Sequence, residues 1–134
     1  MIIKHVLPAA ALVASLALAA CGSESSESKP ESANAATALE EARATKDALT
    51  AALETYKDGD QKAAENQVAE AYVQHFEEVE HALEEKDAEL KEHLEEGIST
   101  ELRDAMKAGK PVADVESRVE ALVADLEKAQ AALR

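Results

Sequence analysis

A chain of 134 residues allows one small domain. With 28 Asp and Glu against 14 Lys and Arg it repels phosphates, which excludes nucleic acid as a partner and favours cations or a basic protein patch. No Trp, one Phe (Phe76) and two Tyr (Tyr56, Tyr72) leave Ala, Leu and Val to build a core, a composition suited to close-packed helices.

At the start of the chain, Lys4 and His5 form a short basic segment, followed by the apolar run Val6 to Ala20, interrupted only by Pro8 and Ser15. The run is short for a membrane span, which takes about 20 apolar residues. Its length and flanks predict a secretory signal over residues 1–20. It closes on Leu18-Ala19-Ala20-Cys21-Gly22, small residues before a cut and a cysteine directly after it. This resembles the lipobox of bacterial lipoproteins. The resemblance implies cleavage before Cys21, fatty acylation of Cys21, and a mature chain anchored to the bilayer. Cys21 is the only cysteine, so no intrachain disulfide forms, and acylation removes a free thiol from an oxidising compartment. Two or three acyl chains bind firmly, at about 0.8 kcal/mol per buried methylene. Cleavage removes Lys4 and no acid, leaving 13 basic residues against 28 acidic ones. Gly22 is not the aspartate that holds some lipoproteins at the inner membrane. By that resemblance to enteric sorting, the periplasmic side of the outer membrane is expected over the inner one.

The stretch from Gly22 to Asn34 is rich in Ser, Glu and Pro. It cannot bury enough apolar surface to order itself. Residues 21–34 are therefore predicted to be the lipidated cysteine and a disordered tether, and residues 35–134 the folded domain.

Beyond the tether, Ala, Glu, Lys and Leu dominate, all good helix formers. The breaks are few. At Asp58-Gly59-Asp60, Gly59 can end one helix and Asp60 cap the next. At Gly109-Lys110-Pro111, the glycine closes a helix and the proline enters the first turn of the following one. A weaker break falls at Lys86-Asp87, where Asp87 could cap a start at Ala88. The apolar stripes agree: Leu39, Ala42, Leu49, Leu53 and Tyr56; Ala64, Val68, Tyr72, Val79 and Leu83; and Leu90, Leu94, Ile98, Leu102 and Met106 at four-residue steps. The last stripe, Val112, Val115, Val119, Leu122, Leu126, Ala129 and Leu133, is a heptad seam. Nothing reads as a strand. The class is all-α, a small antiparallel bundle of three helices if Asp87 only kinks the chain and four if it breaks it, with four favoured.

The stretch from His75 to Glu96 holds three histidines and a crowd of glutamates. Counting 100° per residue from Val79 puts His75 about 40° off the stripe, Glu80 on its shoulder, and His81, Glu77, Glu84 and Glu85 pointing away from the core. Glu78-x-x-His81 has the spacing of di-iron carboxylate bundles, but it occurs once and His81 points outward. His81 is better read as solvated, near Glu77 or Glu85 at helical spacing. His75, Glu78, Glu80, Glu92, His93 and Glu95 form a candidate site for Fe, Cu or Zn if the helices flanking Asp87 fold back on each other. The competing reading is a solvated acidic face. No phosphate loop, zinc-protease motif or thiol pair is present, and the serines lie away from the histidines, so an enzyme is not expected.

From Ala71 onward, AYVQHFEEVEHAL followed by KDAELKEHLEEGISTELRDAMKAGKPV resembles the extracytoplasmic helical domain of some bacterial iron permeases of the high-affinity Ftr type. The matching positions are Tyr72, Phe76, Glu80, Leu83, Asp87, Leu90, Glu95, Leu102, Arg103 and Gly109. The resemblance covers the last half of the chain. It implies a free-standing relative of an accessory domain in iron uptake, with Glu80 and Glu95 as candidates. The permeases' transmembrane helices and Arg-Glu-Gly-Leu-Glu motif are missing, so transport by this chain alone is not implied. The expected function is a membrane-anchored, non-enzymatic binding or accessory module handling metal. The alternative is a structural or partner-binding lipoprotein without metal, including a homo-oligomer through the last seam. Arg134 at the end, in place of a lysine, counts against a covalent wall staple.

Overall fold

The computed structural model describes residues 31–134. The expected signal, Cys21 and the first part of the expected tether lie outside them. The described residues form four helices and contain no strand. Helix α1 is Glu31–Lys57. Helix α2 covers 61–83: Gln61–Ala71 is α-helical, Tyr72–Phe76 is a π-helical turn, and Glu77–Leu83 is α-helical again. Helix α3 covers 88–107 in the same way, with Ala88–Glu96, a π-helical segment Gly97–Leu102, and Arg103–Lys107. Helix α4 is Val112–Ala132. No described helix is long and apolar enough to cross a membrane.

Helix α1 starts four residues inside the stretch read as tether. Ala35, Ala36 and Ala38, strong helix formers, stand near this end.

The breaks form by the capping chemistry the sequence carries. At the first, Gly59 takes φ 95°, its N–H donates to the Tyr56 carbonyl at 3.0 Å, and Asp60 N–H reaches back to the Thr55 carbonyl at 3.2 Å. Asp60 then accepts from Ala63 N–H at 3.0 Å. The third break repeats the glycine device: Gly109 takes φ 64°, and Lys110 N–H donates to the Ala105 carbonyl at 3.1 Å. Pro111 stands one position earlier than expected, as the residue before the first turn, and its carbonyl accepts from Asp114 N–H at 2.9 Å. The middle break has no glycine. The Leu83 carbonyl accepts from both Lys86 and Asp87 N–H, and Asp87 accepts from Leu90 N–H at 3.0 Å. Asp87 therefore breaks the chain, and the count is four helices.

Cross-helix contacts fix the directions. Lys46 pairs with Glu127 and Lys57 with Glu116, so α4 runs back along α1. Arg103 donates from Nε and Nη2 to one oxygen of Glu65, which ties the end of α3 to the start of α2. Tyr56 donates to the Lys110 carbonyl at 2.6 Å and closes the α1 end over the α3–α4 turn.

One apolar cluster joins all four helices, with Leu49, Val68, Phe76, Leu83, Leu94, Ile98, Leu102, Met106 and Leu126 fully buried. The predicted stripes supply most of it. Tyr72 and Leu90 are half-buried, Phe76, which the predicted stripes did not include, is fully buried, and Val112 is 41 % exposed at the first turn of α4. The rest of the α4 seam, Val115 to Leu133, is buried within this chain. These seam residues are therefore core within the described chain.

The π-helical turns explain the departures in α2. On an uninterrupted α-helix, Ala64, Val68 and Ala71 would centre about 90° away from Phe76, Val79 and Leu83. The extra residue of the π turn takes up one residue's rotation and brings both sets onto one face. Ala71 ends the first set inside the core, and Tyr72 opens the π turn at its edge.

Candidate functional site

The candidate site lies across the α2–α3 turn. Glu80 on α2 and Glu84 at its C-cap are four apart, and Lys91 and Glu95 are four apart on α3, so each pair shares a helix face. Asp87 folds α3 back and brings the faces together. Lys91 Nζ then lies 3.5 Å from Glu80 Oε1, 3.2 Å from Glu84 Oε2 and 3.4 Å from Glu95 Oε2. Tyr72, at the start of the π turn, donates its hydroxyl to Glu80 Oε2 at 3.1 Å. Its ring packs against Phe76 with centroids 5.5 Å apart, which holds the hydroxyl at the rim of the core.

The electrostatics follow. Lys91's side chain is 17 % exposed, and its ammonium is shared among three carboxylates. Bonding to Glu84 first, and to Glu95, raises its pKa, while burial acts in the opposite direction. The Tyr72 phenol is pushed up to about 12, by burial first and then by donation to Glu80 and the negative charge of Glu80, Glu95 and Glu77. The arrangement therefore holds one positive charge among three negative ones and keeps a neutral phenol beside them.

The six candidates from the sequence separate into different places. Glu80 and Glu95 meet at Lys91. His75 donates from Nδ1 to Glu41 Oε2 at 2.6 Å, joining α2 to α1. His93 Nε2 lies 3.1 Å from Asp125 Oδ2, joining α3 to α4, and Lys128 reaches the other oxygen of Asp125 at 2.7 Å. Glu78, Glu92 and His81 are exposed. Among the described residues no group of three or more His, Cys, Asp or Glu side chains is arranged to hold a metal ion. The carboxylates nearest to doing so are answered by Lys91.

Helical counting missed five members of these contacts: Glu84, Lys91, Glu41, Asp125 and Lys128. Glu84 was set pointing away from the core, which it does, but α3 comes back along that side. Lys91 was legible by charge, since Lys86 and Lys91 are the only lysines in a 77–96 stretch that has no arginine and holds ten carboxylates.

A cleft of about 220 Å³ opens elsewhere, between α3 and α4. Gly97 and Leu122 line its floor, with His93, Asp125 and the Arg118–Glu101 pair around it. None of the groups around Lys91 borders it.

No protein-family model matches this chain, and comparison with curated proteins and with solved structures finds no match.

Proposed function

We propose that the chain is an envelope lipoprotein, anchored through acylated Cys21 on the periplasmic side, whose helices form one antiparallel bundle acting as a non-enzymatic binding and accessory module. The ligand class is a cation, and the binding surface is the carboxylate set Glu80, Glu84 and Glu95. What carries the reading is a single observation. Two glutamates 15 residues apart, both implied by the resemblance to the iron-permease domain, meet on one ammonium at the rim of the core.

The three carboxylates suit Fe, Zn or Cu by donor type. They do not fit a metal while Lys91 stands among them, so a bound ion has to compete with that ammonium. A second reading rests on the same contact: with Lys91 supplying the counter-charge, the cluster is a structural clasp between α2 and α3, and the module works by holding a protein partner near the membrane.

Calorimetric titration of residues 31–134 with Fe, Cu and Zn separates the two. The metal reading expects saturable binding that Glu80→Gln and Glu95→Gln weaken and Lys91→Gln strengthens, since removing the ammonium frees the carboxylates. No saturable binding below about 100 μM in either the native protein or the Lys91→Gln variant overturns it and leaves the clasp.

A further inference from the structure

The charge of this domain is uneven along its length. The end built from residues 34–43, 77–96 and 125–134 carries fourteen carboxylates against five Lys and Arg. The opposite end, residues 54–62 and 101–118, carries seven against six. The paired contacts already described put these segments at opposite ends: Glu41 beside His75 and Lys46 beside Glu127 near one, Tyr56 on Lys110 and Lys57 on Glu116 at the other.

Helix α1 begins at the acidic end, ten positions after Cys21. However the nine residues between are arranged, the link from Cys21 to Glu31 spans at most about 36 Å. Helix α1 itself, at 27 residues, is about 40 Å long. The link is therefore shorter than the domain, and the domain cannot turn its far end onto the bilayer while the acidic end points outward.

We infer that the acidic pole faces the membrane and acts as an electrostatic stand-off, holding the domain away from anionic lipid. The inference rests on the proposed anchoring at Cys21. Repulsion between the pole and anionic headgroups extends over a screening length of about 8 to 10 Å at ordinary ionic strength. That distance lies well within the reach of the link, so lipid charge and salt set how far the domain stands from the surface. The effect works against direct docking on the lipid and leaves the carboxylates around Lys91 open to the space between domain and membrane.

The test uses the full-length acylated protein, with a dye on a cysteine introduced at the acidic end, Ala88→Cys, or at the far end, Ala108→Cys. Both positions are exposed and uncharged. Energy transfer to an acceptor lipid is measured on vesicles of phosphatidylcholine alone or mixed with phosphatidylglycerol. Transfer is expected to be greater from position 88 than from 108. Phosphatidylglycerol should lower the transfer from 88, and salt near 0.5 M, where the screening length falls to about 4 Å, should restore it. Equal or reversed transfer on vesicle-bound protein, or transfer indifferent to lipid charge, overturns the stand-off alone. Failure to float with vesicles, with mass spectrometry finding Cys21 unacylated, overturns the anchoring and the inference with it.

Discussion

Single residues carry two of the decisions in this fold. Asp87 alone starts α3, because the α2–α3 break has no glycine to enforce it. Asp87→Ala should cost about 1 kcal/mol by removal of the cap, measurable as a lowered urea midpoint with unchanged slope. Tyr72 marks the other decision. Its phenol ionises at about 12, and burial also raises Tyr56, whereas an unfolded phenol ionises near 10. A raised phenol contributes stability that is complete below pH 10 and is lost as pH climbs toward 12. With no tryptophan in the chain, absorbance at 295 nm reads this directly. At pH 11 the folded protein should show less tyrosinate than the chain in urea, and Tyr72→Phe should remove the later-titrating part. A native titration that overlays the unfolded one would remove the Tyr72–Glu80 bond from the account.

At the scale of elements, the two π-helical segments are the least expected feature and the most informative. The α3 stripe, Leu90, Leu94, Ile98, Leu102 and Met106, advances by four residues each time, a drift of about 40° per step on a regular α-helix. The π segment Gly97–Leu102 takes back about one residue's rotation midway, so the stripe stays on the core. In α2 the buried positions step 4, 3, 5, 3, 4 from Ala64 to Leu83, and the five falls across the π turn. Removing one exposed residue there, Gln74, restores 4, 3, 4, 3, 4 and a straight helix. That deletion should leave stability within about 1 kcal/mol of the parent. Deleting exposed Glu120, in the regular α4, turns half its stripe about 100° away and should cost more than about 3 kcal/mol. Thermal melts of the two variants decide it, and equal losses would refute the one-residue account. The three breaks between helices were legible because each carries its own local chemistry, whereas the start of α1 was not. The π turns were not read, although the repeated step of four announced the drift. Phe76 was left out of the stripe because the step of four from Val68 passes through Tyr72, inside the π turn. Thr45 escaped notice as core because its hydroxyl is satisfied locally, donating to the Glu41 carbonyl at 2.8 Å. The meeting of Glu80, Glu84, Lys91 and Glu95 was beyond sequence reading for another reason: it depends on the register between two helices, which the turn geometry at 84–87 sets.

For the whole molecule, the closed core has a direct consequence. The α4 seam that reads as a coiled-coil surface is spent inside the chain, from Val115 to Leu133. Residues 31–134 should therefore sediment as a monomer at concentrations up to about 100 μM, where a weak coiled-coil pair would begin to associate. A concentration-dependent rise in mass would reopen the seam as an interface. The same packing links the first and last described helices to the middle ones: α1 touches α2 and α4, and the α2–α3 turn lies at the end where α1 begins. Loss of any one helix would expose the others' stripes, so unfolding should be a single transition by circular dichroism and by tyrosine fluorescence alike.

An amine reacts with acylating reagents only when it has lost its proton. Lys91, clasped by Glu80, Glu84 and Glu95, keeps its proton longer than a solvated lysine does and shields its nitrogen from attack. Brief exposure to an N-hydroxysuccinimide ester should therefore label Lys62, Lys107 and Lys110 first and Lys91 last. If a metal ion takes the carboxylates, the released amine should become one of the fast ones, so mapping the labelled peptides would show whether this lysine stays in the clasp or can be displaced from it.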